Sequence, residues 1–127
     1  MKQYLTIQQA ARLLQQKEVV AIPTETVYGL AADATSDVAV DKIFAAKGRP
    51  SDNPLIVHIG DVSQLLSVAS SVSETARRLI DTFWPGPLTV LLPKHESLSV
   101  RVTAGLPTVG VRMPAHPIAL ELLRQFL

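Results

Sequence analysis

The chain has 127 residues, 47% of them apolar and 18% charged, with a net charge of +1. That balance excludes a disordered tail and fits one domain with a compact α/β core. It lacks the strong basic footprint of a general nucleic-acid binder, so any RNA role is local or indirect. The absence of cysteine removes disulfides, thiolate nucleophiles and cysteine metal sites.

Thr6 followed by Gln9 has the form of a capping box, and Ile7, Ala10, Ala11 and Leu14 follow at helical spacing. The pattern predicts an amphipathic helix over about residues 7–17. Residues 19–22 form a buried strand closed by Pro23. The stretch 24–33 is mixed and is expected to open a short helix. Its hydroxyls, Glu25 and Tyr28 lie past the carboxyl end of a strand, where open α/β sheets bind ligands. A second helix is expected over 37–46, with Val40, Ile43 and Phe44 facing inward, and it delivers the chain to a basic loop. Pro50 and Pro54 stiffen residues 47–54, and the apolar run 55–59 reads as a short strand.

Asp61 is expected to cap a short helix carrying Val62, Leu65, Leu66 and Ala69. A serine-rich link, 67–73, leads to a further helix with Ala76, Leu79, Ile80 and Phe83 on its core face. Trp84-Pro-Gly-Pro87 stops that helix. Residues 88–92 and 109–113 are strand candidates, with an exposed loop at 94–99 between them. Pro117 suits the first turn of a last helix whose core face is Ile118, Leu122 and Phe126. That helix finishes on Phe126-Leu127 without a stop signal, so residues 1–127 are expected to be a domain incomplete at its C-terminal end. No apolar run approaches the roughly 20 residues of a membrane span, so no membrane partner is expected and a cytoplasmic location is the default.

Chemistry-bearing residues are few. Neither a Walker loop nor Gly-x-Gly-x-x-Gly occurs, and His58, His95 and His116 lie too far apart in sequence for metal-ligand spacing, so no metal site is expected. Lys47, Arg49 and Asn53 at the mouth of a strand offer a point charge, a planar fork and an amide. They form either an anion site or a solvated loop. His58 on an apolar strand is either a ligand group or a core histidine. Arg112, between Val111 and Met113, faces solvent or clasps a carboxylate, and Thr108 is either a ligand contact or a turn hydroxyl.

Four motifs occur in order: Pro23-Thr-Glu-Thr-Val-Tyr-Gly-Leu30, Lys47-Gly-Arg-Pro50 with Asn53-Pro-Leu55, Phe83-Trp-Pro-Gly-Pro-Leu-Thr-Val90 and Val109-Gly-Val-Arg-Met-Pro114. Together they resemble the Sua5/YrdC/YwlC family of threonylcarbamoyl-AMP synthases, from about residue 5 to the end. The resemblance implies a YrdC-like α/β fold: a twisted, mainly parallel open sheet with flanking helices around a positively lined cavity. It implies an enzyme joining L-threonine, bicarbonate or CO2, and ATP into threonylcarbamoyl-AMP and pyrophosphate. The product serves N6-threonylcarbamoyl modification of adenosine 37 in tRNA, so the proteins of that pathway are implied partners. By motif position, Thr26, His58 and Arg112 correspond to threonine-binding residues, and Arg49, Asn53 and Thr108 to ATP contacts. Lys47 and Arg49 correspond to catalytic phosphate-holding residues, with Mg2+ accompanying ATP.

Family members continue with a further strand and a Ser-x-Asn motif, so this piece is expected to hold most of the threonine pocket and part of the ATP pocket. Weak or no activity alone is the expectation, with self-association through an open sheet edge. Two other functions compete: a double-stranded RNA or tRNA-binding module without catalysis, and a carbamoyl-transfer domain of a larger protein.

Overall fold

Helix starts are set by side chains that accept otherwise unpartnered amides. In the computed structural model, which describes residues 5–26, 28–48 and 54–126, Thr6 accepts from Gln9 N while the Gln9 side chain accepts from Thr6 N, and α1 runs Ile7–Gln15. Ser36 opens α2, Asp37–Lys47, and Ser73 opens α4, Glu74–Phe83, each accepting from the amide three residues on. Asp61 accepts from Ser63 N at a 3-10 turn, Val62–Gln64, that leads into α3, Leu65–Val68. His116 Nδ1 accepts from Ile118 N at the head of α5, Pro117–Phe126.

The strands are β1 (Val20–Pro23), β2 (Tyr28–Ala31), β3 (Ile56–His58), β4 (Val90–Pro93) and β5 (Thr108–Arg112). β1 and β2 form an antiparallel hairpin, while the other sheet has the order β3-β5-β4. The expected α/β architecture is present, but its strand pairing is mixed rather than mainly parallel. Among the described residues only β3–β5 is a parallel ladder, and β1–β2 and β4–β5 are antiparallel. The physical reason is connection length. β3 reaches β5 across several intervening elements, whereas β4 and β5 are joined by a loop that turns the chain back, and such loops give antiparallel neighbours. The stretch expected to open a helix after Pro23 is β2 instead, because its residues pair directly with β1.

Two apolar clusters hold the elements together. The larger packs Val57, Val90, Val109, Val111 and Leu92 of the three-stranded sheet against Ile80 and Trp84 of the α4 region and Val40 and Phe44 of α2. The smaller joins Ala10, Ala11 and Leu14 of α1 to Val20 and Ile22 of the hairpin and Leu122 of α5, with Phe126 against it. On α5 the buried residues are Ala119, Leu122 and Leu123 while Ile118 is exposed, so the helix is rotated from the expected face. Leu79 and Phe83 are also exposed. The loop at 94–99 is not wholly exposed, because Leu98 enters the larger cluster and Ser99 N donates to Ala34 O at 2.9 Å.

α5 docks against Gly60 through close backbone approach. Arg124 Nε donates to Gly60 O at 2.8 Å, and Gly60 N donates to Gln64 Oε1 at 2.7 Å. A Cβ at position 60 would lie 2.8 Å from Leu120 O and 2.9 Å from both Arg124 N and Leu123 Cβ. Gly60→Ala is therefore expected to lift the helix and destabilise the fold by about 1–3 kcal/mol. Urea unfolding measures this, and an unchanged midpoint would show that α5 does not seat on Gly60 as described.

Candidate functional site

The three-stranded sheet has one apolar face and one open face. Val57, Val111 and Val90 are register partners and all buried. Side chains alternate across a strand, so the next rows face the other way: Ile56, Gly110 and Leu91 in one, His58 and Arg112 in the other, Thr108 and Pro93 at the far end. Ile56 and Leu91 are exposed. Gly110 keeps this floor low, with Thr89 Cγ2 only 3.1 Å from where a Cβ would stand.

Arg112 is the exception on that face, being buried at 8% exposure. Its Nε donates to Gly86 O at 3.0 Å, and Gly86 is itself fixed by donating its N–H to Met113 O at 2.8 Å. The Trp84-Pro85 bond is cis, and Trp84 Nε1 donates to Leu88 O at 2.8 Å, which holds the turn behind the guanidinium. In front, the Arg112 terminal nitrogen pairs with Glu25 of the β1–β2 loop. The same carboxylate accepts from Ala115 N. Burial lowers the Arg112 pKa, but the carboxylate keeps a counter-charge at hand and the side chain stays a cation.

His58 is the direct register partner of Arg112 on β3. Burial pushes its pKa below the ordinary 6.5, with a hydrogen bond to the Ile56 backbone acting the other way. A neutral imidazole beside a fixed guanidinium can donate or accept one hydrogen bond to a ligand.

Of the expected site residues, the structure groups His58 and Arg112 directly and brings the loop bearing Thr26 to them through its neighbour Glu25. Thr26 is exposed, and its Oγ1 is 3.0 Å from Thr24 Oγ1. Thr108 opens β5 on the same face as Arg112, about 13 Å along the strand. Lys47 is the exposed last residue of α2, before Gly48 turns the chain at φ 59°. Arg49 and Asn53 lie outside the described residues. On the open-face rows of the described strands Arg112 is the one cation.

Two contributors were not assigned from sequence: Glu25, which pairs across the fold, and Gly86, whose carbonyl orients Arg112. Glu25 carried a signal in lying past a strand's carboxyl end; the carbonyl of a glycine carries none. Among the described residues no group of three His, Cys, Asp or Glu is placed to hold a metal ion. Among the described residues no helix is long and apolar enough to cross a membrane. A groove between α4 and β4, lined by Ser73, Thr75, Leu79, Leu88, Thr89 and Leu91 among others, has no charged side chain.

The family model for Sua5/YciO/YrdC, described as telomere recombination, matches residues 12–127. A threonylcarbamoyl-AMP synthase of Bacillus subtilis is 61% identical over 120 residues, covering 94% of this chain and 35% of that protein. One from Pyrococcus abyssi is 54% identical, covering 90% and 34%. A crystal structure of Pyrococcus abyssi Sua5 complexed with L-threonine superposes with a TM-score of 0.90 at 53% identity, covering 93% of this chain and 35% of that one. The chain thus spans about a third of the length of these relatives.

The lowered His58 pKa fixes the sign of a pH effect on stability. Between its folded-state pKa and 6.5 the unfolded chain binds a proton that the folded chain does not, so stability falls as pH drops through that window. His58→Gln is expected to flatten the loss between pH 7.5 and pH 5.5 in urea unfolding. An unchanged slope would mean that His58 is not held neutral.

Proposed function

The chain belongs to the Sua5/YciO/YrdC family, and from that premise we propose that it is part of an L-threonylcarbamoyladenylate synthase. The reaction joins L-threonine, bicarbonate or CO2, and ATP, releasing pyrophosphate. The observation that carries this reading is the buried Arg112, held from behind by Gly86 O, flanked by His58 and facing a carboxylate. It is supported by relatives named threonylcarbamoyl-AMP synthase at 54% and 61% identity.

In this reading Arg112 takes the threonine carboxylate, the grip a guanidinium makes best. His58 and Thr26 supply neutral hydrogen-bonding groups for the rest of the amino acid. The threonine amine adds to CO2 to give a carbamate, and a carbamate oxygen attacks the α-phosphorus of ATP as pyrophosphate leaves. Lys47 and Arg49 neutralise phosphate charge, Asn53 and Thr108 contact the nucleotide, and Mg2+ arrives as part of the ATP substrate. No protein nucleophile is needed: positioning, charge neutralisation and exclusion of water suffice. The activated group then passes, in the cytoplasm, to proteins that modify adenosine 37 of tRNA.

Calorimetric titration with threonine, serine serving as control, is expected to give threonine-selective binding that Arg112→Gln removes. Equal responses to the two amino acids would count against the assignment. In the whole enzyme of which we propose this chain is part, Lys47→Ala or Arg49→Ala is expected to abolish threonine-dependent pyrophosphate release with the unfolding midpoint unchanged. Near-normal turnover in either variant would refute the phosphate role.

A further inference from the structure

Glu25 makes two contacts with one carboxylate: the terminal nitrogen of Arg112 and the N–H of Ala115. A guanidinium and a backbone amide converging on one anion form a carboxylate subsite, and here the protein's own side chain fills it. The two members of the pair are held very differently. Arg112 sits within a strand, fastened to Gly86 O at 3.0 Å, with its side chain 10% exposed. Glu25 rides on the loop of a hairpin, with its side chain 25% exposed. An incoming carboxylate therefore displaces Glu25 and leaves Arg112 in place.

That exchange has a charge consequence. A plain carboxylic acid on Arg112 would leave Glu25 beside a second anion, two like charges in a partly desolvated site. No other charged group stands on the open-face rows of the described strands to relieve it. An α-amino acid avoids this, because it carries a cation two bonds from the carboxylate carbon. Its ammonium can meet Glu25 as its carboxylate meets Arg112.

We infer that Glu25 and Arg112 recognise an α-amino acid as a zwitterion. The ligand's carboxylate takes over the guanidinium and the Ala115 N–H, and its ammonium takes over the released Glu25 carboxylate. The inference rests on the proposed amino-acid substrate and adds a binding role for Glu25. It makes the ion pair a selectivity device: the pair is neutral when closed and neutral again when a zwitterion is inserted, and carries a net negative charge with any simple acid.

The test compares L-threonine with 3-hydroxybutyrate, which lacks only the amine, by calorimetry on the 127-residue chain and its Glu25→Gln and Glu25→Asp variants. Wild type is expected to prefer threonine by roughly tenfold or more. In Glu25→Gln the two ligands should shift in opposite directions. Threonine weakens for want of a counter-charge, and 3-hydroxybutyrate tightens because the resident carboxylate is gone. Glu25→Asp, which keeps the charge, should keep the preference.

Parallel shifts would overturn the inference: both ligands tightening makes Glu25 a plug alone, and both weakening makes it only a support for Arg112. Threonine-selective binding with parallel shifts leaves the threonine reading standing while zwitterion recognition falls. Opposed shifts seen only with a different amino acid and its deaminated analogue do the reverse, keeping zwitterion recognition and removing threonine. If no amino acid binds the wild type, both fall.

Discussion

A guanidinium buried on a β-strand is the constraint around which the rest of this structure is arranged. Removing such a charge from water is costly unless it is paired and hydrogen-bonded, and Arg112 draws in two remote segments that offset part of that cost. The turn at 84–87 gives it a carbonyl from behind, and the β1–β2 loop gives it a carboxylate in front. Each of these segments is held in turn by packing elsewhere: Trp84 by the larger apolar cluster, the hairpin by α1 and α5. The local requirement of one side chain thereby becomes a requirement on the whole fold.

The sheet separates two tasks by side-chain direction. Its valine-rich rows build the core, and the alternate rows present Ile56, His58, Thr108, Gly110 and Arg112 on the other side. A slip of β3 by one residue against β5 would send His58 into the core and bring Val57 to the open face. The buried valines thus fix the orientation of the polar groups as firmly as any hydrogen bond.

Much of this was legible in the residues. Thr6 with Gln9 and Asp61 announced two of the caps, and the apolar runs announced β1, β3, β4 and β5, because those signals act within a few positions. The second strand of the hairpin was missed because Tyr28–Ala31 gains its conformation from pairing with β1, a tertiary effect on a stretch with no clear period of its own. For Arg112 the sequence left solvent and ligand open alike. Alternation correctly sets it opposite Val111, yet its burial comes from a loop, and Glu25 bonds to Ala115 across 90 positions. Nothing in local spacing encodes that meeting. The four ordered motifs signalled a family; the contacts themselves show only that His58 and Arg112 are register partners and that the β1–β2 loop reaches Arg112 through Glu25.

The seat of α5 on Gly60 reaches further than anchoring one helix. Leu120 of α5 leans on the larger cluster and Leu122 sits in the smaller, while Gly60 lies just two residues beyond His58. The helix thus bridges the hairpin's core and the sheet's core, and the bare Cα at position 60 is what lets it lie this close to the segment that leaves β3. A side chain there would push against the one element that touches both cores.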